Sequence, residues 1–203
     1  MCPSILILII LLTDLLKRGI PYLTADFFGN FPSRFAAKSG ILPAIVGSVW
    51  IILLTAAIAI PIAISAALYL EEYAPRTRFI SLIKINIANL AGVPSIVYGI
   101  LGLMVFVRTL GFGRSILSGA LTMSLLILPV IIVSSQEAIR AIPDSLRHGS
   151  YAMGATKWQT IRRIVLPSAF PGILTGIILA ISRALGESAP LLIIIHIKIE
   201  GSD

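Results

Sequence analysis

Between Ser168 and Ile195 the chain carries two charged residues, Arg183 and Glu187, within Ala180-Ile-Ser-Arg-Ala-Leu-Gly-Glu-Ser-Ala-Pro-Leu-Leu192. They are four apart, so on a helix they share a face. A charge at the centre of a bilayer costs at least about 2.5–3.5 kcal/mol, so ions inside spans are rare and usually functional. A guanidinium stays charged and meets phosphate-type oxygens in bidentate fashion. Arg183 is therefore a candidate for an anion path. Glu187 would hold Arg183 and keep the resting path from binding anions too tightly. The competing reading is a self-neutralising pair near the interface. An intramembrane enzyme is disfavoured, because no pair of His, Asp or Cys lies within the spans and the Arg183–Glu187 pair lacks a nucleophile.

A second constellation is a polar island between two apolar stretches, Asp144-Ser-Leu-Arg-His-Gly-Ser-Tyr-Ala-Met-Gly-Ala-Thr-Lys-Trp-Gln-Thr-Ile-Arg-Arg-Ile-Val-Leu-Pro167. It reads as helix, glycine, helix. Asp144 follows Pro143 and can cap the first helix. Gly154 can end that helix in a left-handed conformation. Thr156 and Gln159 have the spacing of a capping box, so a second helix can start at once. Trp158, Ile161 and Val165 recur at three and four residues and give that helix one apolar face. Pro167 marks the start of the next segment. A structured basic loop between spans is a docking element. His148 within it is most simply a solvated loop residue.

The elements that position these groups follow from composition. The 203 residues are 57% hydrophobic and 12% charged, with a mean hydropathy of +1.00. Soluble domains carry about 25% charged residues. The deficit and the long apolar runs place the chain in a bilayer as one all-α integral membrane domain in contact with lipid. The net charge of +7 does not indicate nucleic acid, because the basic residues form no stripe and have no aromatic platform between them. The single Cys2 excludes an intramolecular disulfide and a cysteine-based metal site. His148 and His196 have no ligand partner at metal spacing. No cofactor motif is present, and no Gly-rich phosphate loop with Lys and Ser or Thr.

Along the chain, residues 1–16 read as a partial first span, since a crossing helix needs about 20 residues. Residues 17–40 form a polar connection. The core runs over 41–195. It comprises an uncharged stretch from Ile41 to Leu70 with Pro61 inside, a charged turn from Glu71 to Arg78, and a mixed segment from Phe79 to Asn89. A span from Ile87 to Val107 follows, interrupted by Gly92-Val93-Pro94-Ser95. Another runs from Ile116 to Ser135 with Pro129 inside, then the docking loop over 136–167, then the last apolar segment from Ser168 to Ile195 with Pro190. This makes four full spans and a fragment. Residues 196–203 form a tail. Pro94 is the proline linked to a moving, kinked helix. Gly172 and Gly176, spaced as in GxxxG, suit close helix contact within the chain or with a second subunit. Lys and Arg divide evenly between the two sides, so charge bias does not orient the chain.

The polar island resembles the cytoplasmic loop of ABC-importer permeases, whose pattern is Glu-Ala-Ala, three residues, Gly, nine residues, Ile, one residue, Leu-Pro. Gly154, Ile164, Leu166 and Pro167 fall in register, and His148, Gly149 and Ser150 stand where the family has Glu-Ala-Ala. Ile41-Leu-Pro-Ala-Ile-Val-Gly47, Ala67-Leu-Tyr-Leu-Glu-Glu-Tyr-Ala-Pro75, Asn89-Leu-Ala-Gly-Val-Pro-Ser-Ile-Val-Tyr-Gly99 and Arg183-Ala-Leu-Gly-Glu-Ser-Ala-Pro-Leu-Leu192 resemble the A-type permeases of phosphate importers.

The resemblance implies a helical bundle of the MetI-like type in the cell membrane, crossing it several times. It implies no catalysis by this chain. A separate ABC ATPase pair would hydrolyse ATP and receive the docking loop, through His148, Gly149, Ser150, Gly154, Ala155 and Trp158. A second, C-type permease would complete the pore. An extracytoplasmic phosphate-binding protein would deliver phosphate past Arg183 and Glu187. Family members continue into a further span, so a truncated chain lacking its final span is expected. The alternatives are a permease for another oxyanion such as molybdate or sulfate, and a non-transporting membrane subunit that docks an ATPase.

Overall fold

The computed structural model describes residues 2–22, 25–30 and 40–187. Every element among them is helical. The chain divides into two compact units, Met1–Val49 and Trp50–Asp203.

In the first unit, α1 (Cys2–Gly19) is followed by a 3₁₀ turn at Ile20–Tyr22 and the short α2 (Ala25–Gly29). The apolar fragment was expected to close at Leu16, but the helix runs on through Lys17 and Arg18. Arg18 Nε donates to Asp14 Oδ1 at 3.0 Å one turn below. That pairing lets both charges stay helical. Ile41 N–H donates to the Phe27 carbonyl at 3.0 Å, just before the next helix begins.

α3 (Leu42–Leu68) continues into a π-turn at Tyr69–Tyr73, and the uncharged stretch is helical over its length as expected. Pro61 is accommodated inside. Within the second unit its buried positions are Thr55, Ala59, Ala63 and Ala67. They recur every fourth residue, so one stripe of small side chains faces the core. Such stripes let helix backbones approach closely in a membrane, where apolar burial supplies little drive. Thr55 Oγ1 donates to the Ala120 carbonyl at 3.2 Å, and Ser124 Oγ reaches the Thr55 carbonyl at 3.4 Å. The partner helix is α6 (Ile116–Arg140), which contains Pro129 and supplies the largest share of the buried core of any helix, including Met123, Ile127, Ile131 and Ile139.

Between α3 and α6 the structure departs from the expected span over Ile87–Val107. α4 (Arg78–Leu90) ends before Gly92. α5 (Ser95–Gly102) begins after Pro94 and passes into a π-turn at Leu103–Thr109. The two helices are bent by 100°. Proline has no N–H to continue a helix and drives the residue before it into extended backbone. The segment is thus two helices joined at a corner, and Pro94 stands at the corner with φ −56° and ψ 136° instead of kinking a continuous rod. Among the described residues, three helical runs are long and apolar enough to cross a membrane, or four if the bent pair counts as one span.

α7 (Asp144–Ala152) and α8 (Lys157–Thr160) form the polar island. A π-turn at Ile161–Val165 links α8 to α9 (Leu166–Gly186). Pro167 was expected to mark a fresh start. The helical run is instead continuous from Lys157 to Gly186. Leu166 N–H reaches five residues back to the Ile161 carbonyl, and this wide turn makes room for the proline ring that follows.

α9 packs on α6. A Cβ on Gly172 would come within 2.7 Å of the Ala138 Cβ, and one on Gly176 would collide with the Ser134 side chain. The GxxxG pair is therefore used inside the chain. Gly176→Val should lower stability by about 1–3 kcal/mol, the usual cost of overpacking. Unfolding of the detergent-solubilised protein checks this, and an unchanged midpoint would refute the packing. Pro190, His196, the tail 196–203 and the end of the last apolar segment lie outside the described residues.

Candidate functional site

Two sites emerge, one at each end of the continuous Lys157–Gly186 run. At about 1.5 Å of rise per residue, the twenty-six residues from Lys157 to Arg183 separate them by roughly 39 Å.

At the first, α7 starts after Pro143. Asp144 is the first helical residue and does not cap with its side chain. Its carboxylate takes Arg147 Nη1 at 2.9 Å instead. The helix closes as the glycine predicts. Gly154 has φ +79°, its N–H donates to the Tyr151 carbonyl at 2.9 Å, and Ala155 N–H reaches the Ser150 carbonyl at 3.2 Å. This is the paired closure that a left-handed glycine permits. The capping box is present: Gln159 N–H donates to Thr156 Oγ1, and the Gln159 side chain accepts from Thr156 N–H at 2.9 Å. The Ser150 and Thr160 hydroxyls share a 2.8 Å hydrogen bond that ties α7 to α8 across the reversal.

The apolar face of α8 differs from expectation. Ile161 and Val165 are buried, but Trp158 is 59% exposed. Thr160 and Ile161 are neighbours and both are buried, so the inward face centres between them and, at about 100° per residue, Trp158 falls to one side of it. Thr160 takes the inward place and Trp158 faces outward. An open cleft of about 610 Å³ is lined by Gly149, Ser150, Met153, Gly154, Gln159 and Arg163 among others. Met153 on its rim is 88% exposed. His148 and Gly149 are exposed, Ala155 is half-buried, and the Ser150 hydroxyl is engaged inside the loop. The loop thus presents glycine backbone, Met153 and Trp158 outward.

At the second site, the corner after α4 frees backbone carbonyls. Tyr98 Oη donates to the Leu90 carbonyl at 2.9 Å. Arg183 Nη1 donates to the Ala91 carbonyl at 3.4 Å. Buried carbonyls at a helix end need such partners. The Gly-Val-Pro corner and Arg183, read separately in the sequence, therefore meet. Glu187 is the first residue past α9, and its Oε1 lies 3.9 Å from Arg183 Nε. The pair exists, but it is long. The Arg183 side chain is 40% exposed. Among the described residues its donors reach these two oxygens, against a guanidinium's capacity of five N–H groups.

Sequence reasoning passed over a further cluster. Glu71 and Glu72, read as part of a charged turn, are buried against three cations. Arg140 forms a two-pronged pair with Glu71, Nε to Oε2 at 3.0 Å and Nη2 to Oε1 at 2.9 Å. Lys84 Nζ adds a contact at 2.8 Å. Arg147 places Nε and Nη2 on Glu72 Oε1 at 3.2 and 3.1 Å. The one available signal was two adjacent carboxylates closing a long uncharged run, where unpaired charge is costly.

The profile of the family described as "Binding-protein-dependent transport system inner membrane component" matches residues 59–199. The chain belongs to this family. Its members are multi-pass inner-membrane permeases, and the helical bundle and apolar runs agree with that. The chain is 36% identical over 194 residues to the "Probable ABC transporter permease protein YqgI" of Bacillus subtilis (strain 168), covering 95% of this chain and 66% of that protein. It is 40% identical over 172 residues to the "Phosphate transport system permease protein PstA 1" of Mycobacterium tuberculosis (strain ATCC 25618 / H37Rv), covering 85% and 55%. It is 34% identical over 182 residues to the "Phosphate transport system permease protein PstA" of Haemophilus influenzae, covering 90% and 64%. The chain thus spans between about half and two thirds of the length of these curated relatives.

Proposed function

We propose that this permease is the A-type membrane subunit of an ATP-driven phosphate importer. The observation that carries the reading is Arg183, a half-exposed guanidinium held at a helix corner by the Ala91 carbonyl and only loosely by Glu187. A guanidinium so placed offers planar donors to a tetrahedral oxyanion. The similarity to phosphate transport system permeases supports phosphate as that oxyanion.

The chain's own residues divide the work. Arg183 receives the anion, and Glu187 competes for the same guanidinium and promotes release. The α4–α5 corner at Pro94 is the element whose movement opens or closes the path. At the other end of the run, the cleft around Gly154 receives a separate ABC ATPase, and the outward Trp158 and Met153 supply apolar contact. His148, Gly149, Ser150 and Ala155 complete this coupling surface. A C-type permease completes the pore, and an extracytoplasmic binding protein delivers phosphate. The docking loop then faces the cytoplasm and Arg183 the opposite side.

Uptake of labelled phosphate by a permease-deficient strain carrying the full-length protein tests this. Uptake that unlabelled phosphate suppresses, and molybdate and sulfate do not, is the expected result. Suppression by molybdate or sulfate instead would reassign the oxyanion. No uptake alongside a bound ATPase would make the chain a docking subunit that transports nothing.

A further inference from the structure

The π-turn Tyr69–Tyr73 at the end of α3 touches more elements than its length requires. Glu71 binds Lys84 on α4 and Arg140 at the end of α6. Glu72 binds Arg147 on α7. The Tyr73 ring lies under Lys157 at the start of α8, with Nζ 4.8 Å from its centroid. Both helices of the docking loop are therefore tied to one five-residue turn, and the same turn is tied to α4 and α6. The Glu71 and Glu72 side chains are only 10% and 8% exposed. Burial weakens the competition from water and salt that makes surface pairs nearly worthless.

We infer that Glu72 and Tyr73 are positioning residues that carry movement of the docking loop into the membrane helices, with Glu71 distributing it to α4 and α6. The inference rests on the permease reading above, since it needs an ATPase that pulls on the loop. Three features make the turn suited to the task. A π-turn is a local irregularity that can shift by one hydrogen-bond register. Arg147 also donates to the Ile139 and Ile142 carbonyls at 2.9 and 2.8 Å, so one side chain ties α7 to the end of α6 as well as to Glu72. α4, gripped at Lys84, ends at the corner that Arg183 holds. A continuous set of contacts thus runs from the docking loop through Glu72, Glu71, Lys84 and α4 to the Ala91 carbonyl.

The test uses the full-length protein assembled with its ATPase and partner permease in lipid discs. Hydrogen exchange is followed with and without a non-hydrolysable ATP analogue. In the wild type, the analogue should change exchange both in 144–160 and in 69–90. In Glu72→Gln the change in 144–160 should remain and that in 69–90 should disappear. Anions moved per ATP, measured on assembled complexes only, should fall by about five- to hundred-fold, the range of typical coupling energies. A merely structural Glu72 would lower the yield of complex and leave that ratio unchanged.

Should Glu72→Gln not assemble, the milder tie decides. Lys157→Gln and Tyr73→Leu should each reduce the ratio, and Lys157→Arg, which still places a cation over the ring, should preserve it. Propagation into 69–90 that is equal in wild type and variants overturns the relay alone. Failure of the wild-type chain to bind any ATPase overturns the relay together with the permease reading.

Discussion

Replacing Arg183 with glutamine should stop anion uptake and leave the complex assembled. The guanidinium is the one cation described in the α9 half of the Lys157–Gly186 run, and a glutamine in its place would keep polar bulk without charge. A hydrogen bond to a charged group is worth roughly 1.5–3 kcal/mol. Losing one such contact to an oxyanion slows transport by about ten- to hundred-fold, and losing a bidentate pair slows it further. The fold should tolerate the change, because Arg183 is partly exposed and its one hydrogen bond among the described residues, to the Ala91 carbonyl, is long at 3.4 Å. Uptake of labelled phosphate, alongside co-purification of the ATPase, checks both halves. Uptake at the wild-type rate would make Arg183 a cap for the α4 corner and nothing more.

Gly154→Asp should uncouple ATP hydrolysis from transport. At φ +79° a side chain is strained, by about 1–2 kcal/mol for residues other than glycine. A Cβ there meets no atom of this chain within 4 Å, so the bundle itself should remain folded. The damage falls on the docking cleft of about 610 Å³, whose rim the new carboxylate would enter. A partner seated over the glycine would have to desolvate that charge, at a cost of several kcal/mol for an ion left unpaired. Measured against wild type, the variant should retain ATPase activity in the preparation and lose most phosphate uptake. Normal uptake would show that the partner does not sit over Gly154. Gly154→Ala separates strain from charge, since it carries the backbone penalty without the carboxylate.

The reversal at the centre of the polar island was legible in the sequence. Gly154, Thr156 and Gln159 act through bonds to neighbours three to five positions away, and local chemistry of that kind does not need a fold. The uncharged stretch from Ile41 and that from Ile116 were legible for a similar reason, since apolar length alone decides whether a helix can cross a bilayer. Local reasoning failed where packing chose the face or the direction of a helix. Trp158 was placed on the buried face from its spacing to Ile161 and Val165, but the bundle buries Thr160 beside Ile161 and turns that face away from Trp158. The stretch around Pro94 was read as one interrupted span because composition is blind to direction, whereas the freed carbonyls of Leu90 and Ala91 need partners that only other helices supply.

The sequence by itself thus determined that this is a helical membrane protein, where its docking loop turns, and which cation stands alone in an apolar run. Those properties depend on residue type and on spacings of a few residues. Only the tertiary structure decided that Arg183 closes the corner after α4, that Gly172 and Gly176 pack against α6 within the chain, and that Glu71 and Glu72 bind Lys84, Arg140 and Arg147. The partners in those contacts are from 13 to 92 positions apart. A buried carboxylate must find a cation, but its own sequence neighbourhood does not say which helix will bring one.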